Sequence, residues 1–218
     1  MNIALIGLGS MGYNLAKNMV SKNYQVNAFE KNMLIVENIK NDNIQNLYLL
    51  NSIKDLVDKT PSPRIIMLSL PADKIDKCIN DLIDHLNPTD IIADLGNSLY
   101  LKSMEREKLL SRHNISFLGI GVSGGPRGAK NGPAIMAGGS KNAWKNVKNI
   151  FEDISAKNDN ESACCYFGSS GSGHFVKLVH NGIEYALMEG LAEISNVLEF
   201  AYDMDNNQRA KRFKEVLQ

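Results

Sequence analysis

The chain has 218 residues, 44% hydrophobic and 22% charged, which suffices to bury a substantial core in a soluble globular protein. Lysine plus arginine and aspartate plus glutamate both number 24, so the formal net charge is zero. No global field favours nucleic acid, and any phosphate-binding charge has to be local.

Residues 2–7 read as a short buried strand that runs into Gly7-Leu8-Gly9-Ser10-Met11-Gly12, with helical character over 13–22. This is a G-x-G-x-x-G turn in its required context. Gly7 permits the tight turn, Gly9 lets backbone approach a pyrophosphate and Gly12 lets helix pack on strand. The helix N-terminus, with Ser10 and Met11 beside it, faces the anion. The pattern predicts a dinucleotide site. A second strand, 25–29, ends at Glu30-Lys31-Asn32, about the 20-residue interval at which an acidic residue holds the adenosine ribose 2′-OH. Glu30 favours NAD, whereas Lys31 can pair with the 2′-phosphate of NADP, so the two neighbours point in opposite directions.

Helices are expected over 32–40 and 51–60, a strand over 63–70 stopped by Pro71, and an amphipathic helix over 72–86. A buried strand follows over 90–95, a helix over 101–113 and a strand over 116–121. Asparagine-rich stretches, 38–51 and 158–160, read as solvated turns. This alternation predicts an α/β fold, a doubly wound, mainly parallel Rossmann-type sheet with ligands beyond the carboxyl ends of its strands. Gly96-Asn97-Ser98 and Ser123-Gly124-Gly125 follow two of those strands, where a hydroxyl and successive glycine amides can cradle an anionic or hydroxylated substrate.

Beyond a small-residue loop over 168–173, the chain places Lys177, His180, Asn181 and Glu184 at helical spacing. At about 3.6 residues per turn they share one stripe, while Phe175, Val176, Leu178 and Val179 are free to pack elsewhere. Four polar groups of different chemistry read as an acid/base site; an ordinary solvated helix face is the alternative. His174 reads as a packing residue at the helix start or as a ligand, His85 and His113 as surface residues near helix ends, and Trp144 as a packing anchor. A long helix over 182–202 carries apolar positions including Ile183, Leu187, Leu191, Ile194, Val197 and Leu198, and a second helix begins near residue 207. The cysteines, Cys78, Cys164 and Cys165, make no disulfide framework and no spaced metal motif. Without a leader sequence or a bilayer-length apolar run, the expectation is a cytoplasmic chain with no membrane or nucleic-acid partner.

Residues 7–15, Gly96-Asn97-Ser98, the 121–125 turn with Gly132-Pro133 and Gly138-Gly139, and the block from Gly173 to Tyr185 together resemble 6-phosphogluconate dehydrogenase. That family comprises the decarboxylating enzymes of the pentose phosphate pathway. The broader β-hydroxyacid dehydrogenases share the glycine loop, the Ser-Gly-Gly turn and a lysine with an asparagine four residues later. The block His-Phe-Val-Lys-x-Val-His-Asn-Gly-Ile-Glu-Tyr belongs to the phosphogluconate branch.

The resemblance implies that Lys177 takes the C3 hydroxyl proton of 6-phosphogluconate and then assists decarboxylation, which requires a lysine pKa lowered toward neutrality. It implies that Glu184 protonates C1 of the enediol to give ribulose 5-phosphate. Asn97, Ser123, Gly124, Gly125, His180 and Asn181 would hold the sugar acid, Tyr185 its phosphate, and Asn97 would also border the cofactor. No metal is implied. The sequence departs from the family at Leu95, where glycine is usual and where leucine is expected to crowd the nearby backbone. It departs again at Glu30-Lys31-Asn32, where Asn-Arg-Thr is usual and underlies a preference for NADP.

The expected division is a dinucleotide-binding domain over 1–172 and the beginning of an all-helical domain over 173–218. In the family that domain is long and builds much of a homodimer. The chain therefore reads as a truncated or split product, dimeric if the helical domain is supplied. Two alternatives stand beside the decarboxylating enzyme: a β-hydroxyacid dehydrogenase acting on a smaller acid, and a catalytically inert dinucleotide-binding fragment.

Overall fold

Strand β1 (Asn2–Ile6) begins a sheet in which successive side chains enter opposite cores. Ile3 and Leu5 lie in the larger core and Ala4 and Ile6 in the smaller, all nearly inaccessible to solvent. The computed structural model describes residues 1–159 and 161–216. Helix α1 (Ser10–Ser21) buries Leu15, Ala16 and Met19, an i, i+1, i+4 stripe against the larger core. It starts three residues earlier than expected, within the glycine turn itself. The buried Asn18 side chain donates to Ala129 O at 3.0 Å and Ile154 O at 2.7 Å, tying α1 to α6 (Gly125–Asn131) and α7 (Lys141–Ile154).

The chain continues through β2 (Val26–Phe29), α2 (Met33–Asn41), β3 (Leu47–Leu50) and α3 (Ile53–Lys59), then β4 (Arg64–Leu68), α4 (Ala72–Ile83), β5 (Ile91–Asp94) and α5 (Tyr100–Ser111). Strands β6 (Ser116–Ser123), β7 (Ala134–Gly139) and β10 (Cys164–Tyr166) complete an eight-stranded sheet of order β10-β7-β6-β5-β4-β1-β2-β3. All pairings are parallel except β6 with β7. A short antiparallel pair, β8 (Lys157–Asn158) and β9 (Glu161–Ser162), lies apart from it. The strand order reverses between β1 and β4, the switch point at which an open α/β sheet leaves a crevice beyond its strand ends.

The Asn-rich stretch 38–51 is not simply turns. It holds the end of α2 and the edge strand β3, in which Leu47 and Leu49 alternate onto the larger core. Asn43 and Asn46, with φ of 44° and 66°, supply the turns around it, so asparagine content masked a short alternating strand. In the second such stretch, Asn158 pairs in β8 and Asp159 adopts φ 52°, while residue 160 lies outside the described residues. Trp144 is buried in α7 and stacks against Phe151 and Tyr166. His85 and His113 are exposed just past α4 and α5.

Helix α8 runs from Ser172 to Phe200, ten residues ahead of the expected start of the long helix, and α9 from Asn206 to Val216. The chain divides into two compact units, Met1–Lys177 and Leu178–Gln218. Within the second unit, Asp205 and Gln208 exchange backbone-to-side-chain hydrogen bonds at 2.9 Å, a capping box opening α9. Arg209 reaches Ser195 Oγ at 3.2 Å and pairs with Glu199. Ile183, Leu187, Leu191, Ile194 and Val197 are more than half exposed. Among the described residues no helix is long and apolar enough to cross a membrane.

Candidate active site

At the switch point, Gly7 adopts φ +93°, and a side chain there would strike the backbone of Ser69 beyond β4. A side chain on Gly12 would strike the carbonyl of Gly7, so α1 sits against the turn as closely as the spacing predicted. At Gly9 there is open space where a side chain would stand. Gly9 is also the N-cap of α1 and offers its first amides no side-chain cap. These amides, including those of Ser10 and Met11, suit an anion such as a pyrophosphate, so the turn fits a dinucleotide.

Glu30, one residue past β2, spans this region. Its carboxylate accepts from Leu8 N at 2.7 Å and from Asn32 N at 2.8 Å. Asn32 Oδ1 in turn caps α2 by accepting from Leu34 N at 3.0 Å. Glu30 and Lys31 line a cleft of about 410 Å³, floored by Ile6, Phe29, Ile53 and Leu70 and flanked by α4.

Two strands further along, the loop after β5 is fixed by a buried ionic network that sequence reasoning missed. Asp94 is fully buried; Oδ1 accepts from Gly96 N at 2.9 Å, and Oδ2 accepts from Ser98 Oγ and Arg106 Nη1, both at 2.7 Å. Arg106 Nη1 also donates to Ser98 Oγ at 2.8 Å and its Nε to Asp76 at 2.6 Å. The network pins residues 96 and 98, leaving Asn97 between them exposed. A signal was present: an aspartate closing an otherwise apolar strand, which is costly unless paired. Leu95 turns its side chain onto the larger core, half-buried there.

Strand β6 carries Phe117, Gly119, Gly121 and Ser123 on one face, by period two. The missing side chains admit α8. A Cβ on Gly121 would lie 2.5 Å from Lys177 Cβ, and one on Gly119 would lie 2.9 Å from His174 Nδ1. A side chain on Gly173 would collide with the backbone of Gly119, Met136 and Gly138. Lys177 is thereby held along β6 near its carboxyl end, where Ser123, Gly124 (φ +127°) and Gly125 (φ +58°) begin α6.

His174 is a packing residue, 1% exposed, its Nδ1 2.6 Å from Ser103 Oγ of α5. Burial lowers its pKa, the charge of Asp94 pulls it back in part, and Arg106 adds to the lowering. The ring is neutral near neutrality. Tyr100 and Phe175 meet edge-to-face at 5.3 Å over the same turn.

In the second unit, α8 continues with His180, Asn181, Glu184 and Tyr185. His180 Nδ1 and Glu184 Oε2 are 3.6 Å apart, Glu184 more than half exposed and Tyr185 68% exposed. Among the described residues, no three His, Cys, Asp or Glu side chains are grouped to hold a metal.

The switch-point sheet with its glycine turn, and a lysine held along β6, place the chain in the Rossmann class of dinucleotide-binding folds. A family model described as the NAD binding domain of 6-phosphogluconate dehydrogenase matches residues 2–168, and one described as the C-terminal domain of that enzyme matches 173–218. The chain belongs to the 6-phosphogluconate dehydrogenase family.

It is 41% identical over 213 residues to the decarboxylating 6-phosphogluconate dehydrogenase of Buchnera aphidicola from Acyrthosiphon pisum, covering 97% of this chain and 46% of the relative. With that of Caenorhabditis elegans it shares 39% identity, covering 96% and 44%. The chain thus spans a little under half the length of these curated relatives. The Plasmodium falciparum 6-phosphogluconate dehydrogenase, solved in its apo form and with NADP+ and 6-phosphogluconate, superposes with a TM-score of 0.91 at 33% identity, covering 99% of this chain and 47% of that one. A Mycobacterium tuberculosis 3-hydroxyisobutyrate dehydrogenase, 21% identical, shares the fold with a TM-score of 0.79, covering 95% and 68%.

Proposed function

We propose that this chain carries the dinucleotide site and the acid/base residues of a decarboxylating 6-phosphogluconate dehydrogenase, converting 6-phosphogluconate to ribulose 5-phosphate and carbon dioxide. The observation that carries the reading is Lys177 seated against Gly121 at the end of β6, in a family whose curated members bear that activity in their names. The glycine turn and the α1 N-terminus hold the pyrophosphate, and Glu30, Lys31 and Asn32 border the adenosine ribose. When bound, the nicotinamide accepts the hydride from C3.

In this reading Lys177 removes the C3 hydroxyl proton and then returns it to the C3 oxygen as the carboxylate leaves. Glu184 delivers a proton to C1 of the resulting enediol. Asn97, on its ionically pinned loop, and Ser123, Gly124 and Gly125 orient the sugar acid, with His180 and Asn181 from the α8 stripe. Tyr185 takes the phosphate.

The family models meet between residues 168 and 173, which supports a dinucleotide-binding domain over 1–172 and a helical portion from 173. The exposed apolar face of α8 supports a homodimer completed through helical surface. That face also favours a second reading, a dinucleotide-binding fragment that needs a helical partner for turnover.

The test is reduced-nicotinamide absorbance with 6-phosphogluconate and with 3-hydroxyisobutyrate as the smaller acid. Turnover of the first with release of carbon dioxide supports the enzyme. Preference for the second supports a β-hydroxyacid dehydrogenase, and silence with intact dinucleotide binding supports the fragment.

A further inference from the structure

The loop that presents Asn97 and the helix that presents Lys177 come from distant parts of the chain, and one buried side chain touches the supports of both. On α5, Ser103 and Arg106 share a face at i and i+3. Arg106 donates to Asp94 and Ser98 on the loop, while Ser103 Oγ lies 2.6 Å from His174 Nδ1 in the first turn of α8. Ser103, Arg106 and His174 are all nearly inaccessible to solvent. The backbone of Asp94 and of Gly96 also acts on the imidazole, so the ring packs against the segment that leads into Asn97.

His174 is tied to Lys177 as well. The two are three residues apart on α8 and face Gly119 and Gly121, two apart on β6, whose missing side chains make room for both. A shift of the ring therefore moves the turn of helix that carries the lysine. Volume alone does not account for a histidine here. Its Nε2 is enclosed and, among the described residues, meets no partner in hydrogen-bond geometry, which costs stability relative to an apolar ring of similar shape. An apolar ring could fill the space but could not bond Ser103.

We propose that His174 is a positioning residue for the reaction: through its bond to Ser103 it fixes the spacing between the Asn97 loop and Lys177. The inference rests on the reading above, in which both residues act on one sugar acid, and deepens it by naming what holds them together.

The test is read from amide proton–nitrogen correlation spectra of the whole chain for the wild type, Ser103→Ala, His174→Phe and the double variant. Ser103→Ala deletes one oxygen on α5 and is expected to move the Lys177 amide resonance. In the His174→Phe background the same deletion is expected to move it less than about half as far. The amides of Gly9 and Gly12 in the dinucleotide turn stay in place and report an intact fold. A Lys177 amide that ignores Ser103→Ala, or that responds equally in both backgrounds, would overturn the proposal.

Turnover gives a second readout. His174→Phe keeps the ring's volume and loses Nδ1, whereas His174→Asn loses volume and keeps a polar atom near that position. Positioning predicts that kcat falls about tenfold in the Phe variant and less in the Asn variant, with dinucleotide affinity unchanged in both. A residue that merely fills space gives the reverse order, which would equally overturn the proposal. A folded wild type that binds dinucleotide and never reduces it counts against the proposed function instead, because the resonance test needs no turnover.

Discussion

Lys177 lies where it does because Gly121 has no side chain: a Cβ there would stand 2.5 Å from Lys177 Cβ and 3.1 Å from its Cγ. The lysine stem occupies the space that any other residue of β6 would fill. Gly121→Ala therefore has to push α8 away from the sheet, and overpacking of this kind costs about 1–3 kcal/mol. The expected outcome is a lower urea midpoint and lost turnover, with dinucleotide affinity unchanged because the glycine turn lies elsewhere. Chemical denaturation and titration calorimetry check both parts.

Asp94 and Arg106 form a buried pair, and removing Asp94 leaves the buried guanidinium only the more exposed Asp76. Asp94→Ala is expected to destabilise the chain by about 3–5 kcal/mol. Asn97→Ala, on the exposed tip of the same loop, is expected to lower the unfolding free energy by less than Asp94→Ala does. The contrast separates the residue that holds the loop from the residue the loop presents.

His174 predicts an acid-sensitive fold. Its pKa when folded lies below the ordinary 6.5, so as pH falls through 6.5 the unfolded chain takes up a proton first. Stability present above 6.5 is lost at up to about 1.4 kcal/mol per pH unit until the folded value is passed. Urea midpoints near pH 7 and about pH 5 should diverge in the wild type and diverge less in His174→Gln.

The thiols should differ in reactivity. Burial pushes Cys78 and Cys164 up to about 12, with Asp81 and Glu152 adding to it, while Cys165 is exposed. Alkylation of the native chain near pH 8, followed by peptide mass mapping, should modify Cys165 first and reach the other two only on denaturation.

The parts legible in the sequence were those carried by local pattern. The glycine turn announced itself through three fixed positions after an apolar strand, and the parallel sheet through alternating strands and helices. Strand β3 was hidden because four residues between asparagine turns offer little periodicity. The Asp94–Arg106–Ser98 network was hidden because its members come from β5, α5 and the loop between, and only the fold closes them into one group. Gly119 and Gly121 were placed in a strand, but only the fold shows that they open the face of β6 that receives α8. The Glu30 carboxylate was read as a ribose ligand, and nothing in the linear chain announced that it would also pin the amides of Leu8 and Asn32.

The account's central claim is that Lys177 is the acid/base group for 6-phosphogluconate. The most direct measurement is reduced-nicotinamide formation with 6-phosphogluconate by the wild type and by Lys177→Ala, with dinucleotide affinity measured on both. The predicted result is a loss of at least about 10²-fold in turnover with affinity unchanged. Turnover that survives the substitution, or a folded wild-type chain that binds dinucleotide and never reduces it with this substrate, would contradict the account.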